Sequence, residues 1–320
     1  MKKKKINING LRELLLVGVV LLLCVVWTIM NPQFLSVNNI TNILRQASFT
    51  AIAAVGMTMI IIIGEIDLSA GSLVCAAGLV GAVVCKNTNS VLLAVLAAIL
   101  VGALVGLCNG ILCAVGCLPG FIATLASMTI LRGLAYIITG GNSIVWSNDN
   151  FTKIGTGYIG PVPIPVIIMI IAIIFGVMLT TKFRFGRYIY AVGGNMETSR
   201  WSGIPVVKVK ILVYVIMGIL TSIAGLIVTT RLGSGQPSAG LNFEMDCITA
   251  SVVGGTSMSG GRGKVMGTVV GVLLLTVLTN GMTLVGMNTY WQQVLKGVII
   301  VVSVLADTRG RSEEHTSELQ

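Results

Sequence analysis

Apolar residues in this chain do not alternate as in a half-buried strand, nor keep to one face as in a soluble amphipathic helix. They form long unbroken runs, near 14–30, 47–63, 68–85, 91–116, 120–139, 165–180, 211–230, 245–258, 265–285 and 290–305. The hydrocarbon core of a bilayer is about 30 Å thick, so a spanning helix needs roughly 20 mostly apolar residues. Backbone polar groups in lipid must be satisfied within the segment, which selects helices over open sheets. The pattern predicts an all-α integral membrane protein with about ten transmembrane helices. Two polar stretches break it. "GEIDLSAGS", Gly64 to Ser72, puts Glu65 and Asp67 between two apolar runs. Gly64 and Gly71 flank the acids, and Ser69 and Ser72 can cap freed amides. An interrupted helix near 64–72 follows, with Asp67 or Ser69 as the N-cap of what comes after. A second interruption is predicted near 231–246.

Composition supports the membrane reading: 55% of residues are hydrophobic and only 10% charged, against about a quarter charged in soluble domains. Mean hydropathy is +0.95. The net charge of +10 raises nucleic acid as a partner, but its distribution argues otherwise. "MKKKK" and Arg12 precede the first span. Lys182, Arg184, Arg187, Arg200, Lys208 and Lys210 share one loop, and Arg262, Lys264, Arg309 and Arg311 fall on the same side. Only Arg45, Lys86, Lys153 and Arg231 fall opposite. This is a positive-inside orientation signal, with both termini and the 181–210 loop cytoplasmic. The first apolar run is long and lacks an A-x-A-like cleavage site, so it reads as a retained span rather than a signal peptide. The seven cysteines lie in or beside apolar runs with no C-x-x-C pair, and read as small core residues.

An internal echo links the two interruptions. Glu65-x-Asp67 recurs as Glu244-x-Asp246, Asn109-Gly110 as Asn280-Gly281, and Arg132-Gly133 as Lys296-Gly297, in the same order. The offset is five spans, an odd number, so the halves would be inverted in the membrane, as in transporters with broken helices. Coincidence in a low-complexity chain is the competing reading. A carboxylate at mid-bilayer costs at least about 2.5 kcal/mol and tends to be functional. Glu65, Asp67, Ser69, Asn109, Asn280, Glu244 and Asp246 are therefore candidate pathway or gate residues. The rival reading of 64–72 is a short cytoplasmic turn with wet acids. Arg132 and Lys296 lie about a third of a span from an end and can snorkel, which favours a structural role.

Of the loops, 140–164 is rich in Gly, Pro, Asn and Ser, and is expected to be irregular and able to meet an external partner. Loop 181–210 mixes aromatic, basic and small residues. Its "YIYAV" followed by Gly193-Gly194 suggests a docking surface, and "NMETSRWSG" a short helix ended by Gly203. "SMSGGRGKV", 257–265, lacks P-loop spacing and a preceding soluble strand, so it reads as a cytoplasmic turn. No hydrolase constellation or metal site is visible. The lone histidine, His315, sits in an acidic tail, 310–320, whose composition reads as non-native. That leaves 1–309 as a single membrane domain.

The stretches "FLSVNNITNILRQASFTAIAAVGMTMII" with "GEIDLSAGS", "GLCNGILCAVGCLPGFIATLASMTILRG", "FGRYIYAVGGNMETSRWSGI" and "RLGSGQPSAGLNFEMDCITASVVGGTSMSGGRGKVMGT" cover nearly all of 34–305. In these the chain resembles the membrane-spanning permease of bacterial ABC sugar importers of the ribose type. The family commonly has a second glycine where this chain has Glu65. The resemblance implies a homodimeric pore in the bacterial cytoplasmic membrane, carrying ribose or a related monosaccharide. It implies two copies of a separate ATPase subunit docked on 181–210, with Gly186, Arg187, Gly193, Gly194, Asn195, Arg200 and Gly203 in the coupling segment. An extracytoplasmic binding protein would deliver the sugar. ATP would be held by the partner, so this chain would bind no cofactor and catalyse nothing itself. The alternative from another class is a secondary transporter coupling sugar to an ion through Glu65, Asp67, Glu244 or Asp246.

Overall fold

The computed structural model describes the backbone of residues 8–318 and the side chains of 14–305; the tail 310–320 therefore lies outside the described side chains. The structure is helical almost throughout. Among the described residues, seven helices are long and apolar enough to cross a membrane: α2 (Val37–Ile62), α3 (Ala70–Thr88), α4 (Val91–Ala114), α5 (Gly120–Thr139), α7 (Ile164–Thr181), α10 (Val206–Leu232) and α12 (Val265–Leu284). Shorter apolar stretches, Leu14–Met30 and Thr289–Leu305, belong to α1 (Ile8–Met30) and α13 (Thr289–Glu318). The remaining helices are α6 (Asp149–Thr156), α8 (Arg184–Gly194), α9 (Met196–Trp201) and α11 (Phe243–Val253).

The expected span at 245–258 is corrected. The helix there, α11, has 11 residues, about 16 Å at 1.5 Å per residue, half of what a crossing needs. Gly255 ends it at φ +95°, and a glycine-rich turn follows.

The 140–164 loop is also more ordered than its composition suggests. The Asn148 side chain accepts from the amides of Asn150 and Phe151 and so starts α6. Phe151 is fully buried against Trp146, edge to face at 5.0 Å. A two-residue hairpin, β1 (Tyr158–Ile159) with β2 (Val162–Pro163), follows, and Arg45 pins it by donating to the Thr156 carbonyl and stacking 4.7 Å over the Tyr158 ring.

Close backbone approach sets the helix packing. Gly102, Gly106 and Gly110 of α4 lie against Gly218, Tyr214 and Ile211 of α10, where a Cβ on any of the three would overlap α10. Small residues at every fourth position let membrane helices meet this closely. The pairing is antiparallel, since one number rises as the other falls. On α3, Val74 meets Gly225 and Gly78 meets Thr229, so α3 runs parallel to α10 and begins opposite its middle. Helix α11 lies beside α2 and α12: Thr58 Oγ1 bonds Ser251 Oγ at 3.3 Å and Thr268 Oγ1 at 2.6 Å. Each long helix thus cradles a pair from the other part of the chain, α10 holding α3 and α4, α2 holding α11 and α12.

Candidate functional site

The first interruption is an extended segment, 63–69, between the end of α2 and the start of α3. Gly64, at φ +80°, takes the left-handed turn that a side chain would resist. Glu65 follows and is tied to two other helices. Its Oε1 pairs with Lys210 Nζ at 2.5 Å, and its Oε2 accepts from the Gly120 amide, at the start of α5, at 2.8 Å. The Leu68 amide donates to Thr124 Oγ1 at 3.0 Å. Since Glu65 sits near the start of α10 and Ala70 faces its middle, the segment climbs about half the bundle.

Asp67 and Ser69 are buried in that climb. Asp67 Oδ1 accepts from the Ser69 amide at 2.8 Å and from Ser69 Oγ at 2.6 Å. Ser69 stands at the N-cap position of α3, but its hydroxyl caps nothing there; it is spent on Asp67. Asn109 Nδ2 then donates to Ser69 Oγ at 3.1 Å, and Ser127 Oγ donates to Asn109 Oδ1. A buried polar chain therefore runs from the interrupted segment through α4 to α5.

The second interruption spans 233–242, between α10 and α11. Arg132 reaches it from α5, its Nη1 donating to the carbonyls of Pro237 and Ala239, both at 2.8 Å. Glu244, in the first turn of α11, accepts from the Gly71 amide, in the first turn of α3. The two broken helices thus begin at one place and run in opposite directions, α11 toward the end that carries α8 and α9, α3 away from it. Asp246, two residues on, pairs with Lys296 Nζ of α13 at 2.6 Å. Arg132 and Lys296, read as structural from the sequence, hold the interruption and the first turn of α11 respectively.

Asn280 lies elsewhere. It exchanges reciprocal 2.9 Å amide bonds with Asn39 near the start of α2, at the opposite end of α2 from the first interruption.

The 181–210 loop forms α8 and α9. Gly186 is buried, and its close neighbours are the carbonyls of Leu179 and Thr180. Asn195 caps α9 by accepting from the Thr198 amide at 2.9 Å, and Gly203 follows the helix at φ +79°. Arg187, Gly194, Asn195 and Arg200 are exposed. Gly193 is not: it presses on the Ile62 carbonyl and the Gly261 amide. The Gly261 amide itself donates to Ile62 O at 2.8 Å, and Tyr190 Oη to Gly263 O at 2.8 Å. Burial pushes the Tyr190 phenol above its ordinary pKa, so it stays a donor. The 254–264 turn is thus the seat of α8, and α11 joins that seat to the mid-bundle cluster.

Sequence reading missed several of these residues. Trp201, 89% exposed at the end of α9, was signalled only by an aromatic inside a polar stretch. Lys210 and Gly120 carry no local signal as partners of Glu65. The Gly102, Gly106, Gly110 spacing was there to be read.

The chain matches the family model described as branched-chain amino acid transport system / permease component over residues 39–304. It is 43% identical to the ribose import permease protein of Haemophilus influenzae over 91% of each chain. With the ribose import permease protein of Bacillus subtilis it shares 42%, over 96% of this chain and 97% of the other. With the xylose transport system permease protein of Haemophilus influenzae it shares 32%, over 98% and 99%. No solved structure matches it.

Proposed function

This chain belongs to the family of branched-chain amino acid transport system permease components, and we propose that it is the membrane-spanning subunit of an ATP-driven importer for a pentose, ribose first. The similarity to ribose import permeases along more than nine-tenths of the chain is the observation that carries this reading. ATP hydrolysis belongs to a separate ATPase subunit. That subunit docks on α8 and α9, where Arg187, Arg200 and Trp201 are exposed. A binding protein delivers sugar on the opposite face, beside α6 and the hairpin. A second copy completes the pore, in the bacterial cytoplasmic membrane with both termini inside.

The geometry suggests how docking reaches the pathway. Movement of α8 is carried through Gly193 to Gly261 and the end of α2. It passes along the short rigid α11 to Glu244 and Asp246, and so to the starts of α3 and the partners on α5 and α13. Rigid elements meeting at packed joints move as bodies, as rocking of two halves requires. The seven predicted pathway residues fall into two groups on this mechanism. Glu65, Asp67, Ser69, Asn109, Glu244 and Asp246 belong to the moving joints, and Asn280 to a static outer contact.

The test is labelled-ribose uptake in cells deleted for their own ribose permease and carrying this chain with its ATPase and binding protein. Uptake that survives an uncoupler and stops on ATP depletion is the expected result. Uptake that collapses with the ion gradient while ATP holds would overturn it in favour of ion coupling.

A further inference from the structure

The Asp246–Lys296 ion pair is in an unusual place for a pair of charges. It sits at mid-bundle depth, beside Cys247, whose thiol approaches the carbonyl of Thr50 midway along α2. Yet it is not enclosed: its side chains are 29% and 27% exposed. By contrast, Glu65 and Lys210 are 13% and 8% exposed. Hydrocarbon against the exposed part would leave charge facing lipid, which is unfavourable even for paired groups. Water or protein must cover it.

Helix α13 indicates which. Thr289, Gln292, Gln293 and Lys296 recur at three- and four-residue spacing and share one stripe of the first two turns of the helix, which Ile299 and Ile300 end. Gln292 Nε2 is anchored to Thr283 Oγ1 at 3.0 Å, and Gln293 is exposed. Val294, Val298, Val301, Val302 and Leu305 make the apolar, exposed remainder, suited to lipid. The opening turns of α13 are thus polar along one stripe and apolar beside it, as where a helix leaves lipid to border an aqueous space.

We propose that the Asp246–Lys296 pair, with Gln293, forms a polar ledge on the aqueous pathway and hydrogen-bonds the hydroxyls of the passing sugar. The proposal rests on the transport reading above and names contacts for it. Lys296 spends one of its three donors on Asp246 Oδ1, which leaves two, and Asp246 keeps its second oxygen as an acceptor. A sugar hydroxyl donates and accepts at once, so a neutral pair offering both roles fits a diol better than a lone charge would. The pair is also held from below by α11, so movement of α11 would present or withdraw the ledge.

The experiment uses the complete transporter in proteoliposomes, with the native cysteines of this chain replaced by alanine and cysteine placed by Lys296→Cys or Gln293→Cys. Gln293 is exposed and bonds no other side chain among the described residues, so Q293C stands in if K296C fails to assemble. A charged, membrane-impermeant thiol reagent should modify either position, and ribose-loaded binding protein with ATP should slow modification several-fold. Reaction with a lipid-soluble maleimide but not the charged reagent would overturn the aqueous placement. Modification unaffected by the loaded binding protein, in vesicles that take up ribose, would overturn the sugar contact. Vesicles of the unmodified chain that take up no ribose mark failure of the transport reading instead, and the charged reagent alone then decides whether the ledge meets water.

Discussion

Glu65 and Lys210 form an enclosed ion pair, 2.5 Å apart with side chains 13% and 8% exposed, and through it the interrupted segment after α2 is fastened to the start of α10. The second Glu65 oxygen holds the Gly120 amide at 2.8 Å, so one carboxylate joins three elements that are distant in sequence.

Removing one partner strands the other charge. Lys210→Met should destabilise the folded permease by about 3–5 kcal/mol, the cost of an uncompensated buried charge. Adding Glu65→Gln should restore much of that loss, since the glutamine oxygen can still accept from Gly120. Thermal unfolding in detergent, followed by size-exclusion chromatography, gives both values; a double variant no better than Lys210→Met would refute the pairing argument.

Gly193 and Gly194 are neighbours with different tasks. A Cβ at Gly193 would overlap Ile62 O and press on Gly261, whereas none lies within 4 Å of one at Gly194. Gly193→Val is expected to insert normally yet hydrolyse ATP without delivering sugar, because the seat of α8 is displaced. Gly194→Ala is expected to behave as wild type. The ratio of sugar delivered to ATP hydrolysed in reconstituted vesicles distinguishes them, and equal ratios would dismiss the Gly193 seat as a coupling point.

Trp201 has almost its entire side chain in solvent at 89% exposure. An exposed tryptophan next to an exposed Arg200 is the composition of an interface anchor, where truncation commonly costs at least about 2 kcal/mol of binding. Trp201→Ala should weaken co-purification of the ATPase subunit by more than about tenfold, at 1.4 kcal/mol per decade. Unfolding temperature of the permease itself should not move. A fall in that temperature with undiminished ATPase binding would assign Trp201 to folding instead.

Gly106 sits at a close approach of α4 to α10, lying against Tyr214 and Val215. Gly106→Leu forces the helices apart and is expected to cost about 1–3 kcal/mol or more through overpacking. It should also disturb Asn109, one turn on, and with it the bond to Ser69. Protease resistance of the purified permease measures the loss; unchanged resistance would show that α4 can shift freely.

By itself the sequence determined the solvent. Unbroken apolar runs of spanning length leave the chain nowhere to fold but a bilayer, and lipid then imposes helices. It also marked both interruptions, because acids and glycines inside such runs are costly unless the backbone breaks there, and Gly64 and Glu244 stand where those breaks occur. Tertiary structure alone decided what each polar residue is for. Asp67 and Ser69 satisfy each other locally, but Ser69 reaches Asn109, Glu65 finds Lys210, and Asn280 is bound to Asn39 away from the breaks, through contacts that span from 40 to 241 residues. Local patterns cannot carry such pairings. They also could not show that 245–258 falls short of a span: its apolar composition suits a helix of any length, and the 11-residue limit is set by the turn seated on α2 and α8. Hydropathy fixes where a chain resides, but partner choice among buried charges and amides follows from which helices pack together.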